Sequence, residues 1–211
     1  RHADRVVTIL IGIGDPHPAR RDDLKIGELR ARLPDRFFLF VGELRYYKGV
    51  PFLLEAARQS GLPVVIAGEG ELRSSIEGAR LSNVHHLGKV TDEEKWALLD
   101  LATAFVFPSQ LRSEAFGVAL LEAAAAGKPM ISCEIGTGTS YVNIDGETGF
   151  VVPPADAEAL AAAMNRIWLA PEIALEMGRR ARARYEDHFT ADRMASEYVR
   201  LYGALRTGRN P

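Results

Sequence analysis

Along the chain, short runs that are apolar at nearly every position alternate with stretches whose apolar residues recur every three or four positions. The runs are 6–13, 37–41 (FFLFV), 64–67 (VVIA), 84–87, 105–107 (FVF), 130–132 (MIS) and 150–152 (FVV). A strand with one wet face alternates, whereas a strand covered on both faces is apolar throughout. Between most of these runs lie amphipathic stretches such as GVPFLLEAARQSG and TDEEKWALLDLATA, the second opened by Thr91 and Glu94 at capping-box spacing. This alternation predicts a doubly wound, Rossmann-like α/β domain with a parallel sheet. After Pro153 and Pro154 the character changes, and residues 155–169, 172–186 and 190–206 read as three consecutive helices. With no internal repeat, low-complexity tract or long linker, the expectation is one domain over 1–211, with a sheet core over about 5–153 and a helical tail over about 155–206.

In an open parallel sheet, ligands bind beyond the carboxyl ends of the strands, above all where strand order reverses. The unusual residues of this chain cluster at those ends: FFLFV is followed by GELRYYKG, VVIA by GEGELR, the 84–87 run by GKV, FVF by PSQLRSEAFG, and MIS by CEIGTGTS. A glycine directly after a strand often does no more than turn the chain. Gly42, Gly68 and Gly88 in succession, with Arg45, Lys48, Lys89 and Arg112 nearby, point instead to an anion site, because helix N-termini present N–H groups and the positive end of the dipole. GEGELR has half of a dinucleotide fingerprint, but Arg73 stands where the third glycine belongs, which argues against a nicotinamide or flavin site. No Walker A pattern is present.

Composition narrows the classes further. With 211 residues, 47% hydrophobic, 26% charged and a net charge of -2, nothing favours nucleic acid or an anionic membrane as partner. No apolar run approaches the roughly 20 residues that a membrane span requires. Cys133 is the only cysteine, which excludes an intramolecular disulfide and a cysteine-built zinc cage and fits a reducing compartment. His85 and His86 are adjacent on a strand, so their side chains take opposite faces and do not form a metal pair. The chain begins on Arg1, without Met or a signal-peptide pattern, and runs into an apolar segment, which suggests a piece of a longer protein.

The segment SEAFGVALLEAAAAGKP, 113–129, sets Glu114 and Glu122 on either side of an apolar run. In a helix, an eight-residue offset is roughly 80° around and about 12 Å along, too far for two carboxylates to act on one bond. Another geometry fits better: Glu114 in a loop, Gly117 near the helix start and Glu122 about a turn inside. Each acid would then meet a different part of one ligand, with N–H groups around 116–118 meeting an anion between them. The plainer alternative is that Glu114 favours the helix dipole and Glu122 is solvated. Ala119, Leu121 and the alanines 123–126 leave little polar face for Glu122, which weakens that alternative.

The pattern EAFGVALLE followed by AAAAGKPMI resembles the signature of retaining glycosyltransferases of family 4. VGELRYYKG, VIAGEGE, FPS and DGETGFVVPPAD fall in that family's order and spacing, over about 37–164. The resemblance implies the C-terminal, donor-binding half of a GT-B fold, with a nucleotide sugar held between two Rossmann-like domains and the acceptor held mainly by an N-terminal domain apparently absent from this chain. By matching position, Glu114 would contact donor-sugar hydroxyls, and the main chain of Phe116, Gly117 and Val118 would bind sugar or phosphate. Glu122 would hold the ribose hydroxyls and Lys48 would neutralise the diphosphate. The main chain of Gly88, Lys89 and Val90 would meet the base, with Gly42 and Gly68 lining the site. The physical reasons agree, since carboxylates accept paired hydroxyl donors and a departing diphosphate needs cationic stabilisation. No metal or other cofactor is expected. The final helix, within FTADRMASEYVRLYGALR, would cross to the missing domain or pack on its own.

Two departures stand out. The family commonly has Arg after the first motif's glycine, where this chain has Glu43, so Arg45 would have to supply that charge. At the end of the MIS strand the text is GTGTSYVN, without the family's Gly-Gly and following Glu. This variant is similar to bacterial mannosyl- and rhamnosyltransferases of surface-polysaccharide assembly, which implies GDP-mannose or a related GDP-hexose as donor and a glycan or lipid-linked acceptor. A cytoplasmic location follows, possible peripheral membrane association coming through the missing domain. The isolated chain is expected to bind nucleotide without transferring sugar. Two other functions compete: a nucleotide-sugar epimerase or hydrolase of the same fold, and a non-catalytic binding module such as a receiver domain, whose acidic cluster and central Asp are not evident.

Overall fold

The computed structural model describes residues 6–15 and 23–207. Six strands, β1 (Phe38–Val41), β2 (Val64–Ala67), β3 (Val84–Gly88), β4 (Ala104–Phe107), β5 (Met130–Cys133) and β6 (Gly149–Val152), form one sheet in the order β3-β2-β1-β4-β5-β6. Every pairing is parallel. The chain winds outward from β1 to β3, returns, and winds the other way from β4 to β6, so strand order reverses between β1 and β4.

Alternate residues of each strand serve opposite cores, which is why the strands read apolar throughout. Phe38, Phe40, Val64, Ile66 and Val106 pack with α2 (Val50–Ser60), α3 (Arg73–Ala79) and α7 (Ala157–Leu169). Leu39, Val65, Ala67, Phe105 and Phe107 pack on the other face with α1 (Asp23–Arg30), α4 (Asp92–Leu101) and α5 (Val118–Ala125). The α4 start is the capping box expected from Thr91 and Glu94, with both reciprocal bonds formed. Two elements went unforeseen: α1, held by Ile26 and Leu29, and the one-turn α6 (Thr139–Val142). After β6 come α7, α8 (Pro171–His188) and α9 (Ala191–Arg206), the three tail helices expected. No helix among the described residues is long and apolar enough to cross a membrane.

The run 6–13 corrects the sequence-based expectation: its described residues form no strand of the sheet. (The expected start of the sheet core, about residue 5, lies outside the described residues.) Only Ile13 pairs, in an isolated parallel bridge to Thr190. The Ile13 amide donates to the Phe189 carbonyl at 2.9 Å, and the Ala191 amide returns a bond to Ile13 at 2.9 Å. Gly12 permits this approach, since a Cβ there would lie 2.2 Å from the Thr190 carbonyl oxygen. Leu10 and Ile13 pack against the second core, while Val6, Val7 and Ile11 remain exposed. The segment's apolar residues therefore cover a core edge beside the tail.

Beyond the switch point, Asn143 stitches β5 to β6. Its Nδ2 donates to Ser132 Oγ at 2.9 Å and to the Phe150 carbonyl at 3.0 Å, and its Oδ1 accepts from Thr148 Oγ1 at 2.9 Å. Asn143, Ser132 and Thr148 are all buried. Asn143→Ala should cost about 2–4 kcal/mol in urea unfolding, because several buried polar groups lose partners together.

Candidate functional site

Loops leaving the carboxyl ends of the strands are laced together by main-chain bonds. The Gly42 amide donates to Ala67 at 3.0 Å, the Leu44 amide to Glu69 at 2.9 Å and the Gly68 amide to Gly88 at 2.7 Å. His86 Nε2 lies 2.9 Å from the Gly68 carbonyl, so that histidine braces the loop. Across the switch point, the Gln110 amide after β4 donates to Tyr47 after β1 at 2.9 Å, and Gln110 Nε2 donates to Tyr46 at 2.9 Å. The Gly138 amide after β5 donates to Ala115 at 3.1 Å. A backbone lattice of this kind holds side chains at the sheet edge in fixed positions.

Two acid–lysine pairs sit on that edge. Lys48, at the end of a 3-10 turn (Tyr46–Lys48), pairs with Glu114 Oε2, and Ser109 Oγ donates to the same oxygen at 3.3 Å. The two side chains are only 16% and 13% exposed. The Lys48 ammonium lies 5.1 Å from the centre of the Phe107 ring, over the end of β4. Gly49 follows at φ 73°, and a Cβ there would lie 1.9 Å from the Pro108 carbonyl oxygen. Only glycine lets the Lys48 turn press this closely on the loop after β4. The pair thus spans the reversal between β1 and β4.

The second pair joins α4 to α5. Lys95 Nζ lies 2.7 Å from Glu122 Oε1 and 3.3 Å from Asp92 Oδ1. Burial works against the Lys95 charge, but its bond to Glu122 and the charges of Glu122 and Asp92 outweigh burial and hold its pKa above the ordinary lysine value. Asp92, Lys95, Trp96 and Glu122 line a hollow of about 400 Å³, closed on another side by residues 13–15. A neighbouring hollow of about 310 Å³ shares Asp92 and Lys95 and is lined by Gly42, Gly68, Lys89 and Val90.

Of the residues singled out in the sequence, Glu122, Gly42, Gly68, Lys89 and Val90 line the two hollows, whereas Lys48 and Glu114 pair at the switch point and line neither. Glu114 lies in a loop, Gly117 is the α5 N-cap at φ 85°, and Glu122 sits one turn inside. Phe116 packs edge-on against Phe189, 6.2 Å between centres. Val118 is the first helical residue, where N–H groups have no partner within the helix. Gly88 turns at φ 71° to deliver Lys89 and Val90. Arg45 stands apart: its guanidinium lies 2.7 Å from Glu43 and both side chains are 54% exposed. Their hydrogen bond lowers the Glu43 pKa and raises that of Arg45. Sequence reasoning missed Lys95, Asp92 and Ser109. Lys95 carried a signal, since a lysine close to a helix N-terminus opposes the helix dipole and calls for a compensating partner.

Among the described residues, no group of three or more metal-ligating side chains is found. The fold and site define a doubly wound α/β protein with paired acids and cations at its switch point. The family described as glycosyl transferases group 1 matches residues 22–184, and the chain belongs to that family. It is 46% identical over 209 residues to the O-antigen chain mannosyltransferase C of Escherichia coli, covering 97% of this chain and 56% of that protein. It is 53% identical over 196 residues to the D-rhamnosyltransferase WbpZ of Pseudomonas aeruginosa, covering 90% and 51%. The chain therefore spans about half the length of the curated relatives it matches. Anabaena HepE, solved in complex with UDP, superposes with a TM-score of 0.82 at 19% identity, covering 93% of this chain and 57% of that one.

Because the Lys95 pKa is raised on folding, its stabilising contribution is full below about 10.5, its unfolded value, and is lost as pH rises through the higher folded value. Glu122→Gln should lower stability by about 1 kcal/mol near neutrality. That difference should shrink in thermal melts taken at increasing alkaline pH.

Proposed function

We propose that this chain is the donor-binding half of a retaining hexosyltransferase that takes a nucleoside diphosphate sugar, GDP-mannose or a related GDP-hexose. It passes the sugar to a glycan or lipid-linked acceptor in surface-polysaccharide assembly. The observation that carries this is the pairing of Lys48 with Glu114 across the strand-order reversal. A ligand that inserts there must offer an anion to the lysine and hydrogen-bond donors to the carboxylate, and a sugar diphosphate offers both. On binding, the diphosphate takes the Lys48 charge, and Glu114 is released to accept hydroxyls of the hexose. The α5 start at Gly117 and Val118 adds N–H groups to the same anion, and Glu122, steadied by Lys95, accepts the ribose hydroxyls.

As the glycosidic bond to phosphate breaks, negative charge grows on the leaving diphosphate, where Lys48 and the helix start stabilise it. On this proposal those groups supply the stabilisation that a metal ion would otherwise give. Arg45, turned toward Glu43, would reach the diphosphate only by exchanging that partner for phosphate. The names of the E. coli and P. aeruginosa relatives support a mannose-type donor. The acceptor and any contact with a membrane belong to a partner domain of the kind that those longer relatives have room for. A single cysteine, Cys133, with no disulfide partner fits work in a reducing compartment on the cytoplasmic side.

Titration calorimetry with GDP, UDP and ADP tests the donor. GDP should bind best, and Glu122→Ala should weaken it by about 1–3 kcal/mol, as expected when buried hydrogen-bonding groups lose their partner. Equal affinity of wild type and variant would remove Glu122 from the ribose. Incubated with GDP-mannose and candidate acceptors, these 211 residues should bind nucleotide yet form no glycoside. Rapid turnover would place the acceptor site within this half, and an altered free donor sugar in the mass spectrum would favour epimerase or hydrolase chemistry.

A further inference from the structure

One wall of the 400 Å³ hollow is neither helix nor sheet strand: residues Ile13, Gly14 and Asp15 face Lys95 and Glu122 across it. The tail holds this segment from behind: Ile13 exchanges main-chain bonds with Phe189 and Ala191, and two side chains of α8 add to that grip. Tyr185 Oη donates to the Ile13 carbonyl at 2.9 Å. Arg182, one helical turn earlier, makes three contacts with one guanidinium. Its Nη2 lies 2.5 Å from Asp15 Oδ2, its Nε lies 2.7 Å from Glu186 Oε1, and its Nη1 donates to the Ala125 carbonyl. Ala125 is the last residue of α5, the helix that carries Glu122 from the opposite wall. Burial opposes the Arg182 charge, and the carboxylates of Asp15 and Glu186 more than offset it.

We propose that Arg182 is a positioning residue for the nucleotide. It ties the end of the Glu122 helix to the Asp15 segment and so fixes the width of the hollow that receives the ribose. This rests on the donor-binding function proposed above. A planar guanidinium suits the task because its donors diverge in a rigid fork, so one side chain serves a carbonyl on one wall and a carboxylate on the other. Neither Arg182 nor Asp15 need touch the ligand. Their effect on affinity comes from pre-organisation: a wall free to drift must be ordered when the nucleotide binds, and that cost appears as lost affinity.

The test compares wild type with Arg182→Met, Arg182→Lys and Asp15→Asn, measuring GDP affinity by calorimetry and the melting temperature without ligand. Arg182→Met should bind GDP about tenfold more weakly, close to the 1.4 kcal/mol of one charge-assisted bond. Asp15→Asn keeps the side-chain shape and leaves the helix contacts of Arg182 in place. It should weaken GDP several-fold while melting within about 2 °C of wild type, a separation that a purely structural role would not produce. Arg182→Lys should recover part of the loss, because one ammonium meets Asp15 or Ala125 but not both. Wild-type GDP affinity in both Arg182→Met and Asp15→Asn would overturn the proposal. So would a loss in Arg182→Met that tracks its melting temperature while Asp15→Asn binds normally. If wild type bound none of GDP, UDP and ADP, the donor-binding function would fall and this inference with it. Binding by wild type with unaffected variants removes the positioning role alone.

Discussion

The reversal of strand order between β1 and β4 is the constraint from which the site follows. Two adjacent parallel strands whose connections depart in opposite directions leave a cleft at their carboxyl ends that no crossover helix can cover. The chain fills that cleft with an ion pair. Lys48 from the β1 side and Glu114 from the β4 side meet there, and the Gly49 backbone against Pro108 sets how near the two loops come. The pair is mostly withdrawn from water, so it holds the two loops in register while remaining open to exchange with a ligand of matching chemistry.

Electrostatic balance then favours one kind of ligand. Each of the two site carboxylates has a lysine partner, Lys48 for Glu114 and Lys95 for Glu122. A bare phosphate could satisfy a lysine but would strand its carboxylate, and a neutral sugar could satisfy a carboxylate but not the lysine. Stranding either group half-buried costs more than the new bond returns. A molecule carrying hydroxyls on both sides of a diphosphate satisfies all the groups together, and the proposed donor is such a molecule.

The sheet and its two helical layers were legible because a strand buried on both faces must be apolar at every position, and FFLFV, VVIA and FVF obey that rule without interruption. The loop-then-helix placement of Glu114 and Glu122 was legible too, since Gly117 marks the only point between them where the backbone turns left-handed into a helix. Lys95 was harder to find: its partner lies 27 residues away, and local sequence shows only a lysine among the acids of a helix start. α1 escaped because its eight residues bury only Ile26 and Leu29, too few to establish a period.

The run 6–13 shows where patterning stops being decisive. Its composition fits a buried strand, yet it joins neither terminal strand of the sheet, β3 or β6, and composition alone does not say whether an apolar run pairs with an edge or covers a core. Here the apolar side chains find a core edge next to the tail, and the backbone finds a single bridge at Thr190, 177 positions later. The same long-range geometry makes Asp15 a wall of the hollow and Arg182, separated from it by 167 positions, its anchor. Pairings of that span depend on the tail packing back across the second face of the sheet. A residue of ordinary local character on a surface helix can therefore govern the shape of a site built from the middle of the chain.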